Sequence, residues 1–123
     1  MASDLHRIDV HHHIVPPRYL QEARDAIVAQ SLGKPGAITK ILEWMPERSL
    51  EVMDKNGIAT AIGSVSAPGI WFGNLQATRN LARACNEYGA DLVKRYLGRY
   101  RRVGPITLTH PQFGRITCSD SLR

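Results

Sequence analysis

The chain has 123 residues, two cysteines, five histidines and a formal net charge of +5. With 43% hydrophobic and 22% charged residues it has the composition of one ordinary globular domain, which excludes whole-chain disorder, collagen-like repeats and a disulfide scaffold. No apolar run approaches the ~20 residues of a membrane helix. Asp4, Arg7 and Asp9 interrupt any apolar leader, and Cys85 and Cys118 fit no metal or redox spacing, so the expected setting is a reducing cytoplasm.

Taken in chain order, residues 7–14 predict a first strand, with β-branched Ile8, Val10 and Ile14. Pro16-Pro17 ends it, and proline suits the first turn of a helix. Leu20, Ala23 and Ile27 then share one face, which predicts a helix over 19–30. Gly33 to Gly36 break the chain. A second helix is predicted over 46–55, with Leu50 and Met53 inward and Asn56-Gly57 as its stop. Residues 58–65 are apolar nearly throughout, which predicts a strand covered on both faces. Ser66 to Gly73 read as a loop around Pro68-Gly69. Asn74 can cap a third helix running to about Leu92, whose stripe is Leu75, Thr78, Leu81, Ala82, Cys85 and Leu92. Strand, helix, strand, helix predicts an α/β fold with right-handed βαβ units and a parallel sheet. Ile106-Thr107-Leu108-Thr109 is the candidate third strand, with no helix after it to cover it.

The charge divides the chain. Residues 1–93 hold 9 Lys+Arg against 10 Asp+Glu, whereas residues 94–123 hold 7 against one, so the basic excess lies wholly in the last quarter. Accordingly 1–93 is read as the folded unit and 94–123 as a basic tail. Lys94, Arg95, Arg99, Arg101 and Arg102 cluster there with Tyr96 and Tyr100 between them. A solvated charged segment accounts for this. The alternative is a nucleic-acid binder that contacts phosphates, for which no recognised motif is present.

The residues richest in chemistry are Asp9-Val10-His11-His12-His13. Strand side chains alternate, so His11 and His13 face one way and His12 the other. Two imidazoles on one face, at the C-terminal end of a first strand, fit a metal-binding pair where parallel α/β folds place their sites. Three ordinary hydrogen-bonded histidines at a strand end fit the same spacing. Trp44, Trp71 and Phe72 either line a pocket on that rim or pack under a loop. His110 reads as a tail histidine rather than a third ligand. Asp54 and Glu87 read as helix-surface or capping groups, Arg79 and Arg83 as a solvated face, and Cys85 as core. A glycine-rich phosphate loop and a Gly-x-Ser-x-Gly elbow are both missing from the sequence.

Several segments together resemble the amidohydrolase-related family, which includes aminocarboxymuconate-semialdehyde, resorcylate and methylsalicylate decarboxylases. They are Ile8-Asp9-Val10-His11-His12-His13-Ile14-Val15-Pro16-Pro17, Trp44, the run from Ser49 to Ile58 with its Met53-Asp54 and Gly57-Ile58, the loop Ser64 to Gly69, and Asn80 to Tyr88 with its Asn86-Glu87. The resemblance covers about residues 7–100. It implies the N-terminal βαβα part of a metal-dependent (β/α)₈ barrel holding one divalent ion, usually zinc, with His11 and His13 as ligands. The family completes that site with a His and an Asp on later strands, and assists the chemistry with another later His; this sequence has none of those positions. A whole barrel needs roughly 200 residues or more, so only two or three βα units are expected here.

The family pattern also departs near the end. Leu97 stands where a proline precedes the Gly-Arg-aromatic of Gly98-Arg99-Tyr100, and Arg101-Arg102-Val103-Gly104-Pro105 replaces an apolar strand. Loss of pattern and of charge balance at one place points to a truncated or frameshifted end. The resemblance thus implies part of a metal-dependent hydrolase or carboxy-lyase for a small carboxylic acid, aromatic or dienoic, inactive alone and not membrane-bound. The alternative is a non-catalytic truncated paralogue acting as a binding or interaction module. Separately, oligomerisation could supply the missing strands, though nothing in the sequence argues for it directly.

Overall fold

The two predicted strands form at their predicted bounds, β1 over Arg7–Ile14 and β2 over Ile58–Val65. The computed structural model describes residues 5–30 and 35–102. Between and after the strands run α1 (Pro17–Gln30), α2 (Pro35–Leu42), α3 (Pro46–Lys55), α4 (Leu75–Arg95) and β3 (Tyr100–Arg102). The three strands form one sheet in the order β1-β2-β3, and both pairings are parallel. None of the described helices is long and apolar enough to cross a membrane.

The predicted punctuation does its work. Pro17 opens α1, where a missing N–H costs nothing. Asn56 and Gly57 end α3: the Asn56 amide donates to the Val52 carbonyl at 3.2 Å, and Gly57 turns with φ 67°, a left-handed conformation that favours glycine. Asn74 caps α4, its Oδ1 accepting from the Ala77 amide at 2.8 Å.

In three places the elements differ from the predicted ones. The break at Gly33 to Gly36 hides α2: Pro35 and Gly36 fall in the first turn of an eight-residue helix, where neither is disruptive. The helix predicted to about Leu92 runs to Arg95, and Lys94 and Arg95 complete its last turn, where cations complement the helix dipole. The third strand forms at Tyr100–Arg102; the predicted segment 106–109 lies outside the described residues. Tyr100 pairs with Ala61, Arg101 with Ile62 and Arg102 with Gly63. Backbone pairing thus carries a strand whose letters lack an apolar run. The basic cluster is correspondingly divided, because Arg99 is a structural clasp. It donates to Asp54 Oδ1 at 2.7 Å and to the Ile58 and Ala59 carbonyls at 3.1 and 3.0 Å.

Two buried clusters lie between sheet and helices. One joins Val15, Tyr19, Ala23, Ile27, Ile70, Leu81 and Cys85. The other joins Ile14, Met53, Ala61, Leu92 and Tyr100. Gly63 sits against Ile14 so closely that a Cβ there would lie 3.1 Å from Ile14 Cγ2. Among the described residues the helices cover only this side of the sheet. β2 is therefore not covered on both faces as its letters predict: Thr60, Ile62 and Ser64, on the other side, are half-buried.

Candidate metal-ligand pair on the open sheet face

β1 is not a regular strand. Asp9 pairs with Ala61 and His12 with Gly63, so three steps on β1 match two on β2 and one extra residue is inserted. The bulge changes which side chains share a face. Asp9 and His12 meet on the helix side, with Asp9 Oδ2 3.0 Å from His12 Nδ1. Ile14, two residues beyond His12, enters the second core cluster. Ile8 and Val10, alternating with Asp9, and His11 and His13, alternating with His12, take the opposite face. That face is open: Ile8 is 64% and Val10 73% exposed.

On this face His11 Nε2 lies 3.1 Å from His13 Nε2, with the two rings nearly perpendicular at 83°. Two nitrogens each ~2.0–2.1 Å from a shared ion stand this far apart when the nitrogen–ion–nitrogen angle is about 100°. The pair therefore suits a divalent cation in its spacing, in its neutral nitrogen donors and in its access from the open face. The same distance fits a hydrogen bond between the rings, with donor and acceptor set by tautomer. No group of three or more His, Cys, Asp or Glu suited to a metal occurs among the described residues. His110 lies outside them.

Behind the pair lies a chain of contacts that strand alternation does not reveal. Asp9 Oδ1 accepts from the His11 amide at 3.0 Å. Because a carboxylate only accepts, His12 donates from Nδ1 to Asp9; in the neutral ring Nε2 is then the acceptor for the Ser49 hydroxyl, 2.6 Å away. Ser49 is buried on α3. The His12 hydrogen bond holds the Asp9 carboxyl below the ordinary carboxylate range; partial burial opposes this and the His11 amide adds to it. Asp9 and His12, three apart, face one way only because the strand carries a bulge, so alternation alone hides their contact.

The predicted aromatics separate. Trp71 and Phe72, in the loop after β2, are 40% and 46% exposed. Trp44 packs against both core clusters and edge-on to Tyr88, ring centroids 6.4 Å apart.

Comparison with known proteins narrows the reading. The decarboxylase yanB of Aspergillus niger is 39% identical over 88 residues, which is 70% of this chain and 22% of that protein. The decarboxylase macB of Penicillium terrestre is 37% identical over 90 residues, 72% of this chain and 25% of that one. The chain is related to the amidohydrolase-2 family of decarboxylases. It spans about a quarter of the length of these curated relatives. A solved amidohydrolase II superposes with a TM-score of 0.63 at 26% identity, covering 84% of this chain and 33% of the other. The 5-carboxyvanillate decarboxylase of Novosphingobium aromaticivorans, solved with manganese and 4-hydroxy-3-methoxy-5-nitrobenzoic acid, gives 0.65 at 26% identity, covering 85% and 37%. No protein-family model matches the chain.

Proposed function

We propose that this chain carries the first part of the metal centre of a decarboxylase acting on a small aromatic carboxylic acid, with His11 and His13 as two ligands of a divalent ion in the opening units of a (β/α)₈ barrel. The observation that carries the reading is the 3.1 Å approach of the two Nε2 atoms on the open sheet face. The relatives' decarboxylase names and the manganese bound by the solved 5-carboxyvanillate decarboxylase support it. When bound, the ion supplies an electrophile for the substrate carboxylate or a neighbouring oxygen and stabilises charge developing there. Imidazole nitrogens suit zinc, and such a pair binds zinc more strongly than manganese. The residues of this chain do the holding: His11 and His13 present lone pairs, and the open face admits the ligand. Trp71 and Phe72 offer exposed aromatic surface on the loop after β2, on which a planar ring can stack.

Catalytic zinc sites take three protein ligands as a rule, so the pair alone makes a binding site and not an efficient catalyst. The 123-residue chain is expected to bind one Zn²⁺ and to release no carbon dioxide from 5-carboxyvanillate. Calorimetric Zn²⁺ titration of the chain, of His11→Ala and of His13→Ala tests this. Binding to the native sequence that is lost in both variants supports the assignment. Absent binding, or equal binding by the variants, refutes it.

A further inference from the structure

The chain from Asp9 through His12 to Ser49 does more than tie a strand to a helix. Asp9 has two oxygens and spends them on two neighbours: Oδ1 takes the His11 amide, and Oδ2 takes the His12 ring. Both contacts span the inserted residue of β1. His12, held at its far end by the Ser49 hydroxyl, cannot turn without giving up a partner in a half-buried layer, where an unmade hydrogen bond is costly. A bulge re-aims the side chains that follow it. Here His11 lies within the bulge and His13 just after it; alternation puts both on one face, and the bulge sets the aim of the His11 ring toward His13, with the two Nε2 atoms 3.1 Å apart. Regular alternation would turn Asp9 to the histidine face and remove its hold on His12.

We propose that Asp9, braced by His12 and Ser49, is a positioning residue that fixes the β1 bulge and thereby sets the convergence of His11 and His13. This inference rests on the metal-binding reading of that pair. The order Asp9, His12, Ser49 also matches a serine-nucleophile relay in composition, but Ser49 is buried between sheet and helix, so the hydroxyl has no approach for a substrate. The arrangement serves orientation. It belongs to a common pattern in which groups behind metal ligands fix their aim, and removal of such groups costs on the order of 10-fold to 100-fold in metal affinity.

The test uses the full 123-residue chain with Zn²⁺ alone as probe, and two readouts. Calorimetry gives affinity. Nuclear Overhauser contacts between the His11 and His13 rings, whose centroids lie 4.8 Å apart, give convergence without metal. Asp9→Ala is expected to lose about 10-fold or more in affinity and to lose the ring–ring contact, with far-UV circular dichroism unchanged. Asp9→Asn is expected to retain most of both: its amide oxygen still serves the His11 amide, and its NH₂ donates to His12 Nδ1, which moves the ring proton to Nε2 and toward Ser49 Oγ. Ser49→Ala, which deletes the brace together with a hydroxyl contact to Tyr100, is expected to weaken binding in the same direction, and carries the test should Asp9→Ala not fold. If His11→Ala abolishes binding while Asp9→Ala and Ser49→Ala bind like the native sequence, the positioning role is refuted and the metal pair stands. If the native sequence does not bind Zn²⁺, or His11→Ala binds equally, the metal reading fails and this inference fails with it.

Discussion

Replacing Tyr100 by alanine asks whether the basic segment beyond residue 93 is part of the fold. Tyr100 is 2% exposed and closes the cluster of Ile14, Met53, Ala61 and Leu92. Its ring lies edge-on to those of His12 and Tyr96, centroids 6.1 and 6.0 Å away. Truncation leaves a cavity bounded by β1, α3, β2 and α4, which strands and helices cannot close without losing other contacts. Aromatic-to-alanine changes at such sites cost roughly 3–5 kcal/mol, a large fraction of the roughly 5–15 kcal/mol that holds a domain together. Tyr100→Phe separates the ring from the hydroxyl. It gives up the bond to the Pro46 carbonyl, long at 3.4 Å, and the hydroxyl contact with Ser49, and should cost about 1 kcal/mol. Urea unfolding read by tryptophan fluorescence and far-UV circular dichroism measures both. Tyr100→Ala should lower the midpoint by more than about 1 M while Tyr100→Phe moves it far less. A loss below about 1 kcal/mol for Tyr100→Ala, within the range of surface substitutions, would show that β3 does not close this core.

Further outcomes follow from caps and buried acids. Asn74→Ala removes the acceptor of the Ala77 amide and should destabilise by roughly 0.5–2 kcal/mol in the same urea assay, with Asn74→Asp close to the native value. Burial pushes the Cys85 thiol up to about 11. In a Cys118→Ser background it should therefore resist a thiol-specific disulfide reagent at pH 8 and react fully once urea unfolds the chain; rapid reaction in the folded state would contradict the buried placement. Burial likewise pushes the Tyr19 hydroxyl up to about 12. Between the ordinary values of 9.0 and 10.0 and these raised ones, the unfolded chain releases protons that the folded chain keeps. Stability is then full below pH about 9 and falls as pH rises above it, which thermal melts across alkaline pH will show as a declining Tm.

What the letters disclosed, and what they did not, follows from where each element gets its definition. β1 and β2 carry β-branched runs bounded by Pro16 and Gly57, and both form at the predicted bounds. Asn74 and Asn56-Gly57 act locally and were legible for the same reason. α2 was hidden because Pro35 and Gly36 signal a break everywhere except in a first helical turn. β3 was hidden because a partner strand defines it: Ala61 donates its amide to the Arg99 carbonyl at 2.8 Å and pairs with Tyr100, and nothing in Tyr-Arg-Arg announces that. Alternation correctly separates His12 from His11 and His13. It cannot supply the bulge, because the extra residue exists only relative to the register of β2. The join of Asp9 to His12 and Ser49, 37 residues further on, was illegible for that reason.

The account turns on which imidazoles face the open side of the sheet. Long-range ¹H–¹⁵N spectra of the histidine rings during Zn²⁺ titration read this residue by residue. His11 and His13 Nε2 resonances should move together at one equivalent, while those of His12, engaged with Asp9 and Ser49, stay in place. Movement of His12 with either neighbour, or no movement of the pair, would contradict the assignment of His11 and His13 as a shared metal site.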